Sequence, residues 1–237
     1  MSRSRQALVA IALWCAMLIG SLPPAMAADD LARATALMQR NDFAAAIPLL
    51  RQLADEGNGD AQAYLGGIYL AGLGGLPRDT ALAGKWLRQA ARQGNATAAF
   101  NLGLMAERGE GGLADFSGAK AWYEQAAYGG FPMAMLKLGE AYRNGSGAPI
   151  DLQRARQWLQ WAAEAGLSDA QNLLGVMIAK GETYGSRVDA YAWFKIAARE
   201  RQPEAEGNMD LLRPEMSDKE IAEADRQADA WLPMHQH

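Results

Sequence analysis

Cysteine is almost missing from this chain. The sole example, Cys15, falls in an apolar run near the amino terminus, and the rest of the 237 residues has none. The body of the protein therefore has no disulfide, no thiolate metal ligand and no thiol nucleophile, and it must be held by packing alone. Histidine is nearly as scarce: His235 and His237 are the only two, both at the extreme carboxyl end. A general base or metal ligand needs a fixed position, which a terminal tail does not supply. Aromatic residues make up 8% of the chain although hydrophobic residues make up 50%, so the apolar half is mostly alanine and leucine. Basic residues are outnumbered 23 to 27, for a net charge of −4, which argues against a nucleic-acid binder. The apolar share excludes disorder, because the chain buries enough surface to offset its ordering entropy. No phosphate-cradling loop is present. Gly109-Glu110-Gly111-Gly112 lacks the Lys-Ser or Lys-Thr that such a loop needs.

The amino terminus has the pattern of a secretory signal peptide over residues 1–27. Arg3 and Arg5 supply the positive start, Ala7 to Leu22 form an uncharged apolar run, and Pro23-Pro24 precede a small-x-small site at Ala25-Met26-Ala27. The run of 16 residues is short for a membrane span, which takes about 20. Trp14 ahead of Cys15 argues against lipid attachment. Cleavage after Ala27 would leave 21 basic against 27 acidic residues, a net of −6. The expected location is periplasmic or secreted, with a membrane contact only if the segment is retained.

The body repeats every 36 residues or so. Trp86, Trp122, Trp158 and Trp193 are spaced 36, 36 and 35 apart, and each is followed by an alanine pair: Ala90-Ala91, Ala126-Ala127, Ala162-Ala163 and Ala197-Ala198. A Leu-Gly pair recurs as Leu65-Gly66, Leu102-Gly103, Leu138-Gly139 and Leu174-Gly175, each with an alanine four residues before the leucine. Such self-similarity marks a repeat architecture.

Within a unit the spacing is helical. Ala61, Leu65, Ile68 and Tyr69 share one helix face, and Ala83, Trp86, Leu87, Ala90 and Ala91 share another. Between them, Gly72 to Asp79 holds glycines that end the first helix, a proline that stops it, and an aspartate placed to cap the second. Gly94, Gly130 and Gly166 close the second helices in left-handed turns. The Leu-Gly glycine is different. It sits inside a helix at a cost of about 1 kcal/mol, so it must let a neighbouring helix, most simply its own partner, approach closely. The tryptophan column is expected to anchor each second helix in the core.

These signals give an all-α fold, an α/α superhelix of antiparallel helix pairs. Residues 28–57 form a degenerate helix pair, with one helix from Leu31 to about Arg40 and a second from Asp42 to Glu56. Four repeats follow at about 58–94, 95–130, 131–166 and 167–201. Capping helices occupy 202–232, the last begun by a Ser217–Glu220 capping box, and 233–237 form a tail. In the fourth unit Arg201 replaces the closing glycine.

The pattern Ala134-Leu138-Gly139-Tyr142-Gly145-Gly147-Asp151-Ala155-Trp158-Ala162-Ala163-Gly166 resembles the Sel-one-like repeat, a relative of the tetratricopeptide repeat. The resemblance implies a right-handed superhelix acting as an adaptor or scaffold, often at or beyond a membrane. Ala106 and Ile178 depart from the tyrosine of the pattern and suggest altered packing. Some members are rich in cysteine and have been credited with penicillin binding, but the cysteines are absent here.

Aligned to tetratricopeptide arrays, the first helices line a concave face. Its residues would be Phe100, Leu104, Glu107 and Arg108 in the second unit, Leu136, Glu140, Arg143 and Asn144 in the third, and Asn172, Val176 and Lys180 in the fourth. An apolar floor with a mixed-charge rim suits an extended or amphipathic peptide. The resulting expectation is a non-enzymatic exported scaffold binding a protein or peptide of the cell envelope, with no catalytic residue, cofactor or metal. The alternative is an envelope glycan-binding module or hydrolase built on the carboxylates Glu107 and Glu140 with Trp161 as an extra aromatic.

Overall fold

A computed structural model describes residues 24–235, with side chains over 29–231. Among the described residues there are twelve α-helices and no strand. In order they are α1 (Pro24–Gln39), α2 (Phe43–Asp55), α3 (Gly59–Ala71), α4 (Thr80–Arg92), α5 (Ala96–Arg108), α6 (Phe116–Tyr128), α7 (Pro132–Asn144), α8 (Leu152–Glu164), α9 (Ser168–Ala179), α10 (Arg187–Arg199), α11 (Ala205–Leu212) and α12 (Asp218–His235). A single 3-10 turn, Arg213–Glu215, links the last two. The apolar run 7–22, expected to be part of a signal peptide, lies outside the described residues, and 25–27 fall at the start of α1, which begins at Pro24 rather than at Leu31. The last helix runs on to His235, past Leu232.

Side-chain caps start most of these helices. The backbone N–H groups of Ala45, Ala61, Leu82, Ala98, Gly118 and Arg154 donate to Asp42, Asn58, Asp79, Asn95, Asp115 and Asp151 at 2.8–3.2 Å. Ser186 with Asp189, and Ser217 with Glu220, form capping boxes. The closing glycines Gly57, Gly94, Gly130 and Gly166 share a left-handed turn, with φ of 94°, 86°, 82° and 85°. Arg201 keeps a left-handed turn at φ 59° without being glycine.

The chain forms two compact units, one ending at Trp86 and the other starting at Leu87. In the first, Ala34, Ala46, Ile47, Leu50, Leu53, Leu65, Ile68, Tyr69 and Ala83 make one core. Gly74 (φ 64°) lies so close to α2 that a Cβ there would meet Ile47 at 2.6 Å and the Phe43 backbone at 3.0 Å. In the second unit, α5–α6, α7–α8 and α9–α10 pair within repeats, and α6–α7 and α8–α9 pack between them. Helices α11 and α12 pack on α10.

The helical glycines Gly103, Gly139 and Gly175 are closely covered by their own partner helix. A Cβ on Gly139 would lie 2.5 Å from Leu159 Cγ and 3.3 Å from the Ala155 carbonyl oxygen, and one on Gly175 would lie 2.6 Å from the Phe194 ring. Gly103 meets the Tyr123 ring in the same way. This contact corrects the expectation for tryptophan. Trp86, Trp122 and Trp193 are half-buried, and the fully enclosed residue is the next one along: Leu87 0%, Tyr123 4%, Leu159 0% and Phe194 2% exposed. One residue turns a helix by about 100°, and in the second, third and fourth repeats it is this neighbour, Tyr123, Leu159 or Phe194, that faces the glycine. Trp158, the most buried of the four at 8%, is flanked edge-on by Tyr128 and Trp161, and Trp193 by Trp231 of the cap.

Two glycine substitutions separate helix propensity from helix contact. A Cβ added to Gly67, also helical, would have no neighbouring atom within 4 Å. Gly67→Ala should therefore stabilise by up to about 1 kcal/mol, the usual helix-propensity gain. Gly139→Ala should destabilise by about 1–2 kcal/mol, because the overpacking against Leu159 and Ala155 outweighs that gain. Urea unfolding of both variants measures the sign. Arg201→Gly should raise stability by roughly 0.5–1 kcal/mol by removing the Cβ from a left-handed turn, read as a higher denaturation midpoint.

Candidate functional site

The first helices of the second unit place a run of charge along one face. The Glu107 carboxylate, at the end of α5, accepts a hydrogen bond from the Tyr123 hydroxyl of α6 and one from Lys137 Nζ of α7 at 3.2 Å. Lys137 also lies 3.8 Å from Glu140, one helical turn further along α7. A second turn on, Arg143 makes a two-pronged pair with Glu182 in the loop after α9, at 2.6 and 2.9 Å. Signs thus alternate along the face, and the contacts tie the second repeat to the third and the third to the fourth.

Burial and charge act unequally on these groups. Burial, then the hydrogen bond to Glu107, pushes the Tyr123 hydroxyl well above the usual phenol range, so it stays a donor. Burial raises the Glu140 carboxyl; Lys137 opposes the shift, while Glu107 and Asp169 add to it. Hydrogen bonding to Arg143 holds Glu182 below the ordinary carboxylate range, and the same bond raises Arg143. Lys120 is raised by its hydrogen bond to Glu124, at 2.9 Å.

Between the second and third repeats this face opens into a cleft of about 140 Å³. Glu107, Lys137 and Glu140 line one part of it; Lys120, Asn144 and Ser146 add polar edges; and Phe116, Ala119, Tyr123 and Ala141 supply apolar surface. Phe116 is 49% exposed.

Of the residues expected on a concave face, Glu107, Glu140 and Asn144 come together in this cleft. The others are placed differently. Phe100 packs its ring between Tyr123 and Phe131, with centroids 5.7 and 4.7 Å away. Leu104 is half-buried, Leu136 is buried, and exposed Arg108 lies 3.7 Å from Glu110. Arg143 is occupied by Glu182. Asn172 is buried and accepts a hydrogen bond from Asn208 Nδ2 of α11 at 2.9 Å, so the cap covers it. Val176 packs on the Ile178–Phe194 cluster together with Met209 and Leu212 of α11. Lys180 is exposed at the end of α9. Trp161 packs on Trp158 of its own helix α8, at 4.9 Å, and does not line the cleft beside the two glutamates.

Lys120, Lys137, Phe116 and Ser146 were not anticipated from the sequence. Lys137 had a usable signal, since it stands three residues before Glu140 on the same helix face. Phe116 and Lys120 lie on α6, and only the packing of α6 against α7 brings them to this side. Among the described residues, no cluster of three or more His, Cys, Asp or Glu is placed to hold a metal, and no helix is long and apolar enough to cross a membrane. In this cleft the Glu107 carboxylate is engaged by Tyr123 and Lys137, and Glu140 lies within ion-pair distance of Lys137.

The sequence profile of the Sel1 repeat matches residues 59–95, 96–131, 132–167 and 168–201. No curated protein matches the chain. Among solved structures, the chain is similar to c5321, a protective antigen of uropathogenic Escherichia coli displaying an SLR fold, with 31% identity, TM-score 0.74, and coverage of 80% of this chain and 41% of that one. This chain therefore spans less than half the length of c5321. It is also similar to a Sel1 repeat protein from Oxalobacter formigenes, with 29% identity, TM-score 0.69, and coverage of 75% and 73%. The immunity protein Pa5087 of Pseudomonas aeruginosa shares the fold at 15% identity and TM-score 0.53, covering 89% of this chain and 85% of its own.

The charged face makes a pH prediction. A carboxyl raised on folding costs stability as pH climbs through its titration range, and that cost is absent below the unfolded value of about 4.3. Glu140→Gln should therefore be more stable than wild type at pH 7, with the difference closing by about pH 3–4. Arg143→Gln should show the opposite pattern, because Glu182, held low by Arg143, contributes stability at neutral pH that is lost as pH falls through its folded value. Thermal melts across that range test both signs.

Proposed function

We propose, from the premise that this chain belongs to the Sel1 repeat family, that it is an exported, non-enzymatic scaffold holding an extended segment of an envelope protein against the cleft between its second and third repeats. Sel1 repeat proteins serve as protein-interaction scaffolds, and four copies of the repeat make up most of this chain. Export rests on residues 1–27, whose charge, apolar run and small-x-small site have the form of a cleaved leader. The observation that carries the binding site is the cleft itself. It joins exposed Phe116 to the polar groups of Glu140, Asn144 and Ser146, on a face where Lys137 is paired with Glu107 and Arg143 with Glu182. An extended peptide would lay an apolar side chain on Phe116 and direct polar groups to Asn144 and Ser146.

A photoreactive residue at Asn144 in the living cell should trap one discrete partner, while the same residue at Gln157, exposed on α8, should not. No adduct at Asn144, or identical adducts from both positions, would contradict the assignment. Mass spectrometry of the exported protein should find a start at Ala28; a retained leader would make it a tethered scaffold instead.

A further inference from the structure

A second cavity, of about 130 Å³, lies between the last repeat and the cap, away from the first-helix cleft. Trp193 of α10 and Trp231 of α12 form two of its walls, with ring planes inclined at 68° and centroids 5.8 Å apart. Ala192 and Ile196 add aliphatic surface, and Asp189 and Gln227 are its polar lining. The neighbouring cations of α10 are engaged elsewhere, Lys195 with Asp225 and Arg199 with Asp229 across to α12, so no lysine or arginine of the two helices lines the space.

We infer that this cavity binds a quaternary ammonium group. Two indoles set at a wide angle present electron-rich surface on two sides of a small volume, and indole is the best of the side chains for holding a cation over its face. Asp189 supplies the countercharge. Both hydrogen bonds that its carboxylate accepts from Ser186 fall on Oδ2, and a carboxylate charge exceeds the roughly half-unit positive charge of the α10 amino end where it sits. The sparse polar lining selects among cations and neutral guests. A primary ammonium brings three N–H donors and a sugar ring brings several hydroxyls, each costly to bury unpaired, whereas among the described residues Asp189 and Gln227 are the polar side chains that line the space to receive them. A trimethylammonium head carries charge without any donor and matches a pocket of indole and alkyl surface. The cavity admits such a head on a free solute or on a phosphocholine lipid.

Choline titrated into the full-length protein, followed through the indole N–H resonances, should shift the signals of Trp193 and Trp231. The neutral isostere 3,3-dimethylbutan-1-ol should bind at least about tenfold more weakly, since it lacks the cation. Asp189→Asn should weaken choline binding several-fold, and Trp231→Leu about tenfold. The wild-type comparison of choline with its isostere stands even if Trp231→Leu disturbs the cap. Co-sedimentation with phosphatidylcholine vesicles, against phosphatidylglycerol vesicles, distinguishes a lipid headgroup from a free solute. An absence of choline-induced shifts, or equal binding of choline and the isostere, would overturn the assignment.

Discussion

The structure depends on one contact made again in the second, third and fourth repeats: a glycine inside the first helix lies against a large buried side chain of the second. At Gly139 and Leu159, and at Gly175 and Phe194, there is no room for even a methyl group. The helix tolerates a residue that costs about 1 kcal/mol in propensity because the close approach lets the two helices bury Leu159 or Phe194 completely. Small residues at Ala98, Ala134 and Ala170, with the alanine pairs of the second helices, keep the rest of the interface equally thin. A chain without disulfides in its body is held by this repeated fit, unit on unit.

Close packing within repeats leaves polar interactions to work between them. Glu107 with Lys137, and Arg143 with Glu182, bridge successive repeats on the first-helix face. Buried Gln171 donates to the Ala163 carbonyl oxygen of the preceding second helix at 3.2 Å. Many of the charges that look available for a partner therefore serve the array itself. At the carboxyl end, α11 closes over Asn172, and α12 covers α10 through buried Ala224 and Ala228 and its ion pairs. The face left open in the second unit is the cleft around Phe116, Tyr123, Glu140 and Asn144.

The fold was legible in the sequence because backbone needs leave a mark on residue identity. A left-handed turn calls for glycine at Gly94, Gly130 and Gly166, and a helix start calls for aspartate at Asp79, Asp115 and Asp151. These two columns keep phase through three copies, and the Leu-Gly and alanine-pair columns through four. The tryptophan column misled by one residue, because conspicuous size is not depth: Tyr123, Leu159 and Phe194 vary in type yet fill the same place against the glycines. The site was less legible. Helical phase put Glu107, Glu140 and Asn144 on one face, but it carried no information about which charges would find partners. Arg143 meets Glu182, 39 residues away, and Asn172 meets Asn208, 36 residues away, and both meetings are set by how far one repeat advances on the next.

The most direct test of the packing account is a double-mutant cycle between Gly139 and Leu159. If the two are in the contact described, shortening Leu159 to alanine makes room for a Cβ at position 139. Gly139→Ala should then cost at least about 1 kcal/mol less in the Leu159→Ala background than in wild type, a coupling typical of touching residues. Strict additivity, within about 0.5 kcal/mol, would contradict it and show that the recurring glycine is not there for its partner helix.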